Sequence, residues 1–134
     1  MKVSKAVGYA VRALAYLAAH GAGRRVTLGE ISQAEGIPEA YLVKVMKRLA
    51  AAGLLTVFRG SEGGYSLRKR TQNLTMLTVF EAIEGKLALR ECTQDPLSCT
   101  RSKKCRARRV WSNLEIMVTD AFAKCTLDGL SGPK

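Results

Sequence analysis

The sequence predicts a mainly α-helical fold that carries one small β-hairpin and ends in a long helix. Apolar residues recur at helical spacing through most of the chain, which indicates amphipathic helices. The exception is residues 54–58, LLTVF, a β-branched and aromatic stretch followed by a glycine-rich turn, as in a β-hairpin. The last segment carries an apolar stripe that begins at Val110 and ends at Phe122. With 134 residues, of which 47% are hydrophobic, the chain is long enough for one core without disulfide bonds.

The first predicted helix covers residues 3–19. One face is apolar, whereas Arg12 interrupts the apolar run, so the segment is predicted to be a retained amphipathic helix and not a signal peptide. No stretch approaches the about 18 consecutive apolar residues that a membrane helix needs. We therefore expect a cytoplasmic protein. The apolar positions of this helix are Val3, Val7, Ala10, Leu14 and Leu17.

Two further helices are predicted to meet at a tight turn. Thr27 and Glu30 have the spacing of a capping box, in which each side chain satisfies one unpaired amide at a helix start. Gly36 ends that helix, and Pro38 suits the first position of the next one, which is predicted to end at Gly53. This arrangement is the skeleton of a helix-turn-helix. The buried face of its second helix is predicted to comprise Leu42, Val45, Met46 and Leu49.

The predicted hairpin completes a winged helix-turn-helix. Its strands, residues 54–58 and 65–67, are joined by residues 59–64, RGSEGG, and are followed by the basic residues 68–70, RKR. The second helix of such a unit can enter the major groove of DNA while the wing reaches phosphates or the adjacent minor groove. We therefore predict that residues 1–73 form a DNA-binding domain.

The charge of the chain favours a polyanionic partner such as double-stranded DNA. Lys and Arg number 22 against 11 Asp and Glu, which gives a formal net charge of +11. In the recognition helix, Glu39 is the candidate for reading a cytosine amino group, whereas Tyr41 is expected to bond a phosphate or to pack within the protein. The predicted DNA-binding residues are Glu39, Ala40, Tyr41, Lys44, Lys47, Arg48, Arg59 and Gly60.

Residues 74–134 are predicted to form a second part, with a helix over residues 74–85, a cysteine-bearing loop and a long final helix. A palindromic operator has half-sites roughly 34 Å apart, and reading them requires two recognition helices presented symmetrically. The stripe of the final helix is therefore predicted to form a homodimer interface; the alternative is that it packs on the first helix of the same chain. The predicted interface residues are Trp111, Leu114, Met117, Val118, Ala121 and Phe122.

Three cysteines lie within residues 91–109, ECTQDPLSCTRSKKCRARR, with six and then five residues between them. Thiols are kept reduced in the cytoplasm, so Cys92, Cys99 and Cys105 are expected to bind metal or to sense redox state and not to form structural disulfide bonds. Zinc fits poorly, because structural zinc sites use closely paired cysteines and four protein donors. An iron–sulfur cluster and a metal-free thiol sensor both remain. Cys125 is predicted to be a buried core thiol, with a resolving cysteine as the alternative.

Several short patterns that occur together in this chain are Gly8-Tyr9-Ala10-Val11, Ile31-Ser32, Gly36-Ile37, Tyr41-Leu42, Arg59-Gly60, Gly63-Gly64-Tyr65, the three-cysteine loop and Trp111. With these residues the sequence resembles, over nearly its whole length, the Rrf-two family of bacterial winged-helix regulators. The resemblance implies a homodimeric transcription factor whose long C-terminal helices cross at the dimer interface. In members with this loop, three cysteines hold a 2Fe–2S or 4Fe–4S cluster, so the implied ligands are Cys92, Cys99 and Cys105.

One departure from the family concerns the fourth cluster ligand. In some members it is a histidine three residues after the last cysteine, and in others an acidic residue or a histidine of the other subunit's first helix. The residues at these positions here, Arg108, Gly8 and Arg12, cannot serve. Glu91, Asp95, an external thiol or solvent remain candidates. Three cysteines leave one iron of a 4Fe–4S cluster open, which favours that type over 2Fe–2S.

The expected function is a DNA-binding transcriptional regulator, a repressor, that senses redox, iron or nitric oxide status through an iron–sulfur cluster. Losing the cluster would release the loop between Cys92 and Cys105, shift the long helix and change the spacing of the two recognition helices. A cluster-free thiol-switch transcription factor is the second candidate, and an iron–sulfur carrier or electron-transfer protein is the third. An enzyme is not expected, because the single histidine, His20, has no evident catalytic partner.

Overall fold

The fold is helical with one two-stranded antiparallel sheet, which confirms the predicted class. The computed structural model describes residues 2–21, 23–61, 63–68 and 73–130. None of the helices among them is long and apolar enough to cross a membrane. The elements in chain order are α1 (Lys5–His20), α2 (Leu28–Glu35), α3 (Glu39–Ala51), β1 (Leu55–Phe58), β2 (Gly64–Leu67), α4 (Met76–Glu84), α5 (Glu91–Gln94), a 3-10 turn (Pro96–Ser98), α6 (Arg106–Lys124) and a second 3-10 turn (Leu127–Leu130).

The first helix, α1, packs against α2, α3, α4 and the hairpin. It begins two residues later than predicted because Ser4 caps it, with the Ser4 hydroxyl accepting a hydrogen bond from the Val7 amide at 3.4 Å. The predicted apolar face is confirmed except at Val3, which precedes the helix and is exposed. The buried residues of α1 are Val7, Ala10, Ala13, Leu14 and Leu17.

The start of α2 forms only half of the predicted capping box. The Thr27 hydroxyl accepts a hydrogen bond from the Glu30 amide at 3.1 Å, as predicted. The Glu30 carboxylate instead accepts two hydrogen bonds from Arg24, at 2.9 and 2.7 Å, and one from the Tyr16 hydroxyl at 2.6 Å. The expected second bond of the capping box, which the Thr27 amide would donate to this carboxylate, is therefore wrong. Glu30 instead joins the end of α1 to the start of α2.

The substitution Glu30→Gln is expected to remove a pH-dependent part of the stability. The hydrogen bonds from Arg24 and Tyr16 lower the pKa of Glu30 from 4.5 to about 2. An acid whose pKa is lowered on folding stabilises the native state above its unfolded pKa, and this contribution is lost as the pH falls from 4.5 to about 2. The unfolding midpoint of the wild type should therefore exceed that of the variant at neutral pH, and the difference should shrink over that window.

Thermal unfolding monitored by circular dichroism across a pH series measures this difference. Glu35→Gln is the matched control, because the Glu35 carboxylate pairs with one arginine, Arg12, and lies on the same helix. A wild-type advantage over Glu30→Gln that stays constant down to about pH 2 would contradict the assignment.

The turn between α2 and α3 follows the prediction closely. Helix α2 ends at Gly36, whose φ of +66° lies in the left-handed region that favours glycine. Pro38 is the capping residue directly before α3, one position earlier than predicted. The helix-turn-helix is thereby confirmed, and the predicted buried face of α3 is also the observed one: Leu42, Val45, Met46 and Leu49.

The hairpin is tied to the start of the helix-turn-helix by an additional backbone pairing. Strands β1 and β2 pair antiparallel, with Phe58 opposite Gly64 at the turn. Val26, just before α2, forms a bridge with Tyr65 through hydrogen bonds of 3.0 and 2.8 Å. A β-carbon at Gly64 would lie 2.9 Å from the Val26 carbonyl oxygen, so this close approach requires glycine. Predicted wing residues outside the described ranges are Glu62, Lys69 and Arg70.

The C-terminal end returns to the start of α4 and closes the core. The Met76 amide donates to the Cys125 carbonyl at 2.8 Å, and the Leu127 amide donates to the Leu74 carbonyl at 2.9 Å. Leu74 and Leu127 are both buried in the same hydrophobic core as α1 and α3. The predicted boundary after residue 73 therefore falls within one shared core. That it separates two functions stays a prediction.

Candidate DNA-binding surface and cysteine cavity

One side of α3 is exposed and basic. Ala40, Lys44 and Lys47 recur at spacings of three or four residues, so they share the face of α3 opposite its buried residues. All three are exposed, whereas the core side of α3 is covered. A helix face that projects two ammonium groups beside a small residue can lie against DNA phosphates. The geometry is compatible with the predicted role of these residues in DNA binding.

Two other predicted DNA contacts of α3 have partners within the protein. The Tyr41 ring meets the Tyr9 ring edge to face, with 5.3 Å between centroids, while 42% of Tyr41 stays exposed. A β-carbon at Gly29 would lie 3.2 Å from Oε1 of Glu39, so this carboxylate rests over the first turn of α2. Tyr41 therefore has the packing contact that was one of its two expected roles, and both side chains keep surface that DNA can reach.

Arg48 lies on a flank of α3 and contacts α4. Arg48 follows Lys44 by four residues, so it lies beside Lys44 on α3, and it is exposed. Its Nη1 donates a hydrogen bond to the Ile83 carbonyl oxygen at 2.8 Å. This intramolecular partner could not be predicted, because nothing in the local sequence pattern connects residues of two different helices.

The wing presents Arg59 and Gly60 at its exposed turn. Gly60 has a φ of +99°, a conformation that other residues rarely adopt, so glycine shapes this turn. Arg25 adds a second guanidinium beside the wing, where its Cζ lies 4.0 Å from the centroid of the Phe58 ring. The role of Arg25 could not be predicted from the sequence, because the contact joins residues far apart in the chain.

The three predicted cluster ligands line one cavity. Cys92 lies on α5, Cys99 follows the first 3-10 turn, and Cys105 caps the start of α6. A surface cavity of about 480 Å³ is lined by all three, together with Arg108 and Trp111. Cys92 and Cys105 are half-buried and Cys99 is exposed. The cysteines that the sequence grouped together therefore share a site in the fold.

The thiols are not gathered tightly in this conformation. Cys92, Cys99 and Cys105 are free thiols. Within the described ranges, no three His, Cys, Asp or Glu side chains are close enough together to hold a metal ion. The expected close convergence of the three sulfur atoms is therefore not seen in this conformation.

The chemistry of the cavity nevertheless fits an iron–sulfur cluster. Three cysteine thiolates are the donors that such clusters use. Ser102, between the second and third cysteine, is only 4% exposed, and its hydroxyl has no hydrogen-bond partner among the described residues. A buried donor without an acceptor is unusual in a folded protein, and a thiolate or sulfide is an acceptor that could satisfy it. Ser102 does not line the cavity, so the loop would have to rearrange to bring this hydroxyl to a bound group.

Two polar side chains of α6 hold the Cys92 segment in place. Nε of Arg108 donates to the Cys92 carbonyl oxygen at 3.0 Å. Oε1 of Glu115 accepts hydrogen bonds from the Leu89 amide at 2.9 Å and from the Thr93 hydroxyl at 2.6 Å. Neither role was predicted from the sequence, although Arg108 and Glu115 are seven residues apart and so share one face of α6.

The candidates for a fourth ligand differ in position. Glu91 lines the cysteine cavity. Asp95 instead caps the 3-10 turn, with its Oδ1 accepting a hydrogen bond from the Leu97 amide at 3.0 Å. His20, at the end of α1, stacks on the Tyr16 ring with 4.5 Å between centroids. Glu91 is therefore the in-chain candidate that shares the cavity with the thiols.

The apolar stripe of α6 divides into an exposed part and a part that packs on the core of the same chain. Val118 and Phe122 pack on the core, and the Phe122 ring meets Phe80 of α4 edge to face at 5.8 Å between centroids. The covered part of the stripe thus packs on α4, whereas the alternative had expected the first helix, and the homodimer interface stays a prediction. The exposed part comprises Trp111, Leu114, Met117 and Ala121.

The fourth cysteine, Cys125, is exposed, so the predicted buried core thiol is wrong. Helix α6 ends at Lys124, and Cys125 follows it with an extended backbone, φ −86° and ψ 106°. Its side chain therefore leaves the helical face that the sequence pattern had extended to it. Cys125 does not line the cavity of the other three cysteines.

Comparison with known proteins identifies the family to which this winged helix-turn-helix belongs. The Rrf2 family, described as an iron-dependent transcriptional regulator, matches residues 3–132. The chain belongs to the Rrf2 (Rrf-two) family. It is therefore a transcriptional regulator of the winged-helix type, for which DNA binding is implied.

Individual relatives cover nearly the whole chain. The HTH-type transcriptional regulator IscR of Pectobacterium atrosepticum is 31% identical over 134 residues, which are 100% of this chain and 81% of that protein. The structure of CymR, the global cysteine regulator of B. subtilis, matches with a TM-score of 0.76 at 27% identity and covers 98% of this chain and 96% of CymR. The structure of T. potens IscR matches with a TM-score of 0.75 at 25% identity, over 97% and 85% of the two chains. The Rrf2 similarity thus includes both the winged part and the cysteine-bearing part.

Proposed function

We propose that this Rrf2-family chain is a homodimeric repressor of transcription that senses redox, iron or nitric oxide status through an iron–sulfur cluster held by Cys92, Cys99 and Cys105. The observation that carries the proposal is the shared cavity of these three cysteines at the start of α6. The description of the family as an iron-dependent transcriptional regulator supports the same function. The proposed partner is a palindromic DNA operator in the cytoplasm, read by two symmetric α3 helices and their wings.

The proposed mechanism depends on the side chains that join the cavity to α6. A bound cluster would supply a centre that reacts with small oxidants or nitric oxide. Arg108 and Glu115 hold the Cys92 segment against α6, so a displacement of that segment also displaces α6. Leu114 and Met117 lie on the exposed side of the same helix. A shift of α6 would therefore alter the dimer seam and, with it, the spacing of the two α3 helices.

A metal-free thiol switch is the second candidate function. The three thiols are free and do not converge in the described conformation, and Cys99 is exposed to reagents in solution. In this case modification of a thiol, and not loss of a cluster, would displace the Cys92 segment.

The iron and acid-labile sulfide content of anaerobically purified protein distinguishes the two candidates. The cluster proposal predicts bound iron and sulfide, with visible absorbance that is absent from Cys105→Ser. If the protein contains no iron or sulfide but its DNA affinity still responds to oxidant, the thiol switch is supported and the cluster is contradicted. Protein whose DNA affinity ignores both iron and oxidant would contradict both candidates.

The substitution Met117→Glu is expected to dissociate the proposed homodimer. Met117 is 66% exposed in the single chain, so the substitution should leave the isolated chain folded. In a symmetric seam the two glutamates would be buried without partners, which costs roughly 3–5 kcal/mol. Analytical ultracentrifugation should then report half the wild-type mass.

Ile116→Glu is the matched control for this seam. Ile116 is 67% exposed, nearly the same as Met117, but lies about 100° around α6 from it. The control should keep the mass of the wild type. A Met117→Glu protein that also keeps it would place the dimer interface elsewhere.

A further inference from the structure

The hydrogen bond between Arg48 and Ile83 joins the recognition helix to the end of α4. Ile83 lies in the last turn of α4, where carbonyl oxygens have no partner within the helix. Nη1 of Arg48 donates to the Ile83 carbonyl oxygen at 2.8 Å, so a side chain of α3 satisfies one of these oxygens. The positive guanidinium also complements the negative end of the α4 dipole. A second contact holds the same end of α4, since the Ser4 hydroxyl, at the start of α1, donates to the Glu84 carboxylate.

The end of α4 is also the beginning of the segment that carries the cysteines. Gly85, with a φ of +85°, turns the chain out of α4. Leu87 anchors the following residues in the core. Nε2 of Gln94, in α5, donates to the Lys86 carbonyl oxygen at 2.9 Å. A hydrogen bond therefore connects the helix of Cys92 to Lys86, three residues after the Ile83 carbonyl that Arg48 binds.

We propose that Arg48 is a positioning residue that couples the cysteine cavity to the recognition helix, and that it does not act through a DNA phosphate. This inference rests on the proposed function, because it needs a cavity whose state changes. Displacement of α5 would pull on residues 85–90 and on the end of α4, and Arg48 would pass the movement to α3. The hydrogen bond to Ile83 supports this role, because it directs the guanidinium of the exposed Arg48 to α4, although Arg48 follows Lys44 by four residues.

The test compares Arg48→Met with Lys47→Met in the full-length chain. Methionine keeps most of the aliphatic stem and removes every hydrogen-bond donor of the side chain. Each protein is purified anaerobically, and its dissociation constant is measured for a DNA duplex that was selected for binding to the wild type. The measurement covers a salt series and is made before and after treatment with hydrogen peroxide. Two quantities result: the ratio of the oxidised to the untreated constant, and the slope of log affinity against log salt.

Coupling through Arg48 predicts opposite behaviour of the two variants. In Arg48→Met, the ratio of the oxidised to the untreated dissociation constant should fall to within about twofold of one, because the coupling is lost. The salt slope of this variant should stay that of the wild type, because no phosphate contact is lost. Lys47→Met should keep the wild-type ratio and lose roughly 0.9 of the slope. Arg48→Lys, which can still donate to the Ile83 carbonyl, should restore part of the ratio. An unchanged unfolding midpoint for Arg48→Met shows that the effect does not come from loss of the fold.

Two results would overturn the inference. Arg48→Met with the wild-type ratio and a slope reduced by roughly 0.9 would identify Arg48 as a phosphate contact and remove its coupling role. A wild-type ratio of one would show that the cavity does not control DNA binding, and would overturn the proposed function together with the coupling. The first failure leaves the wild-type ratio intact, so the two failures are distinguishable.

Discussion

Replacing Lys44 and Lys47 together by alanine is expected to weaken DNA binding about 100-fold. Both residues project from the exposed face of α3, and each charged contact with a phosphate contributes roughly 1.5 kcal/mol, so the pair accounts for about 3 kcal/mol. Each neutralised phosphate also releases counterions, so the slope of log affinity against log salt should become less steep by roughly 1.8. Fluorescence anisotropy with a duplex selected for wild-type binding, over a salt series, measures both quantities.

Lys86→Ala combined with Lys124→Ala is the matched control, because it removes the same charge outside α3. Lys124 makes an ion pair with Asp120 at 2.9 Å, and Lys86 lines a groove that also contains Glu81. The control should lose little affinity and keep the wild-type salt slope. Equal losses of affinity in the two double variants would show that DNA binding depends on net charge alone. That result would contradict a DNA-contacting face on α3.

Cys105→Ser is expected to abolish both iron binding and the response of DNA affinity to oxidant. Serine keeps the size of the side chain and is a good capping residue for α6, so the fold should be retained. It cannot supply a thiolate, which is the donor that an iron–sulfur cluster requires and the group that a thiol switch modifies. The wild type should change its dissociation constant by at least about tenfold on oxidation, which is roughly 1.4 kcal/mol, and the variant by less than about twofold.

Cys125→Ser is the matched control for this substitution. Cys125 is exposed at the opposite end of α6 and does not line the cavity, so its replacement should leave the iron content and the oxidation response unchanged. Loss of the response in Cys125→Ser would make Cys125 the resolving cysteine of a thiol switch. Retention of the response in Cys105→Ser would remove the cavity from the mechanism.

Local patterns were sufficient to predict the winged helix-turn-helix. The buried face of α3, the glycine that ends α2 and the strands of the hairpin all follow from spacing and turn chemistry within a few residues. The grouping of Cys92, Cys99 and Cys105 on one cavity was predictable in the same way, because a short loop between two helices keeps its residues close together.

Contacts between distant residues could not be predicted. The carboxylate of Glu30 binds Arg24 and Tyr16 and not the backbone of its own helix start, because better donors arrive from α1 and the following turn. Arg48 has its partner on another helix for the same reason. A sequence pattern shows that a side chain can donate or accept, whereas the fold decides which partner is nearest.

The stripe of α6 shows the limit of helical periodicity. Phe122 and Met117 are both apolar and both fit the stripe, yet one packs on α4 and the other is 66% exposed. Periodicity identifies an apolar face but not the molecule that covers it. The same pattern placed Cys125 in the core, although the helix ends one residue before it.

Whether the cysteine cavity controls DNA binding is tested most directly by one measurement on the wild type. Anaerobically purified protein is titrated with its selected duplex at one fixed salt concentration, before and after hydrogen peroxide treatment. A sensing cavity predicts dissociation constants that differ by at least about tenfold, in the direction of weaker binding after oxidation for a repressor that releases its operator. Identical constants, with oxidation of the cavity thiols verified by mass spectrometry, would contradict it.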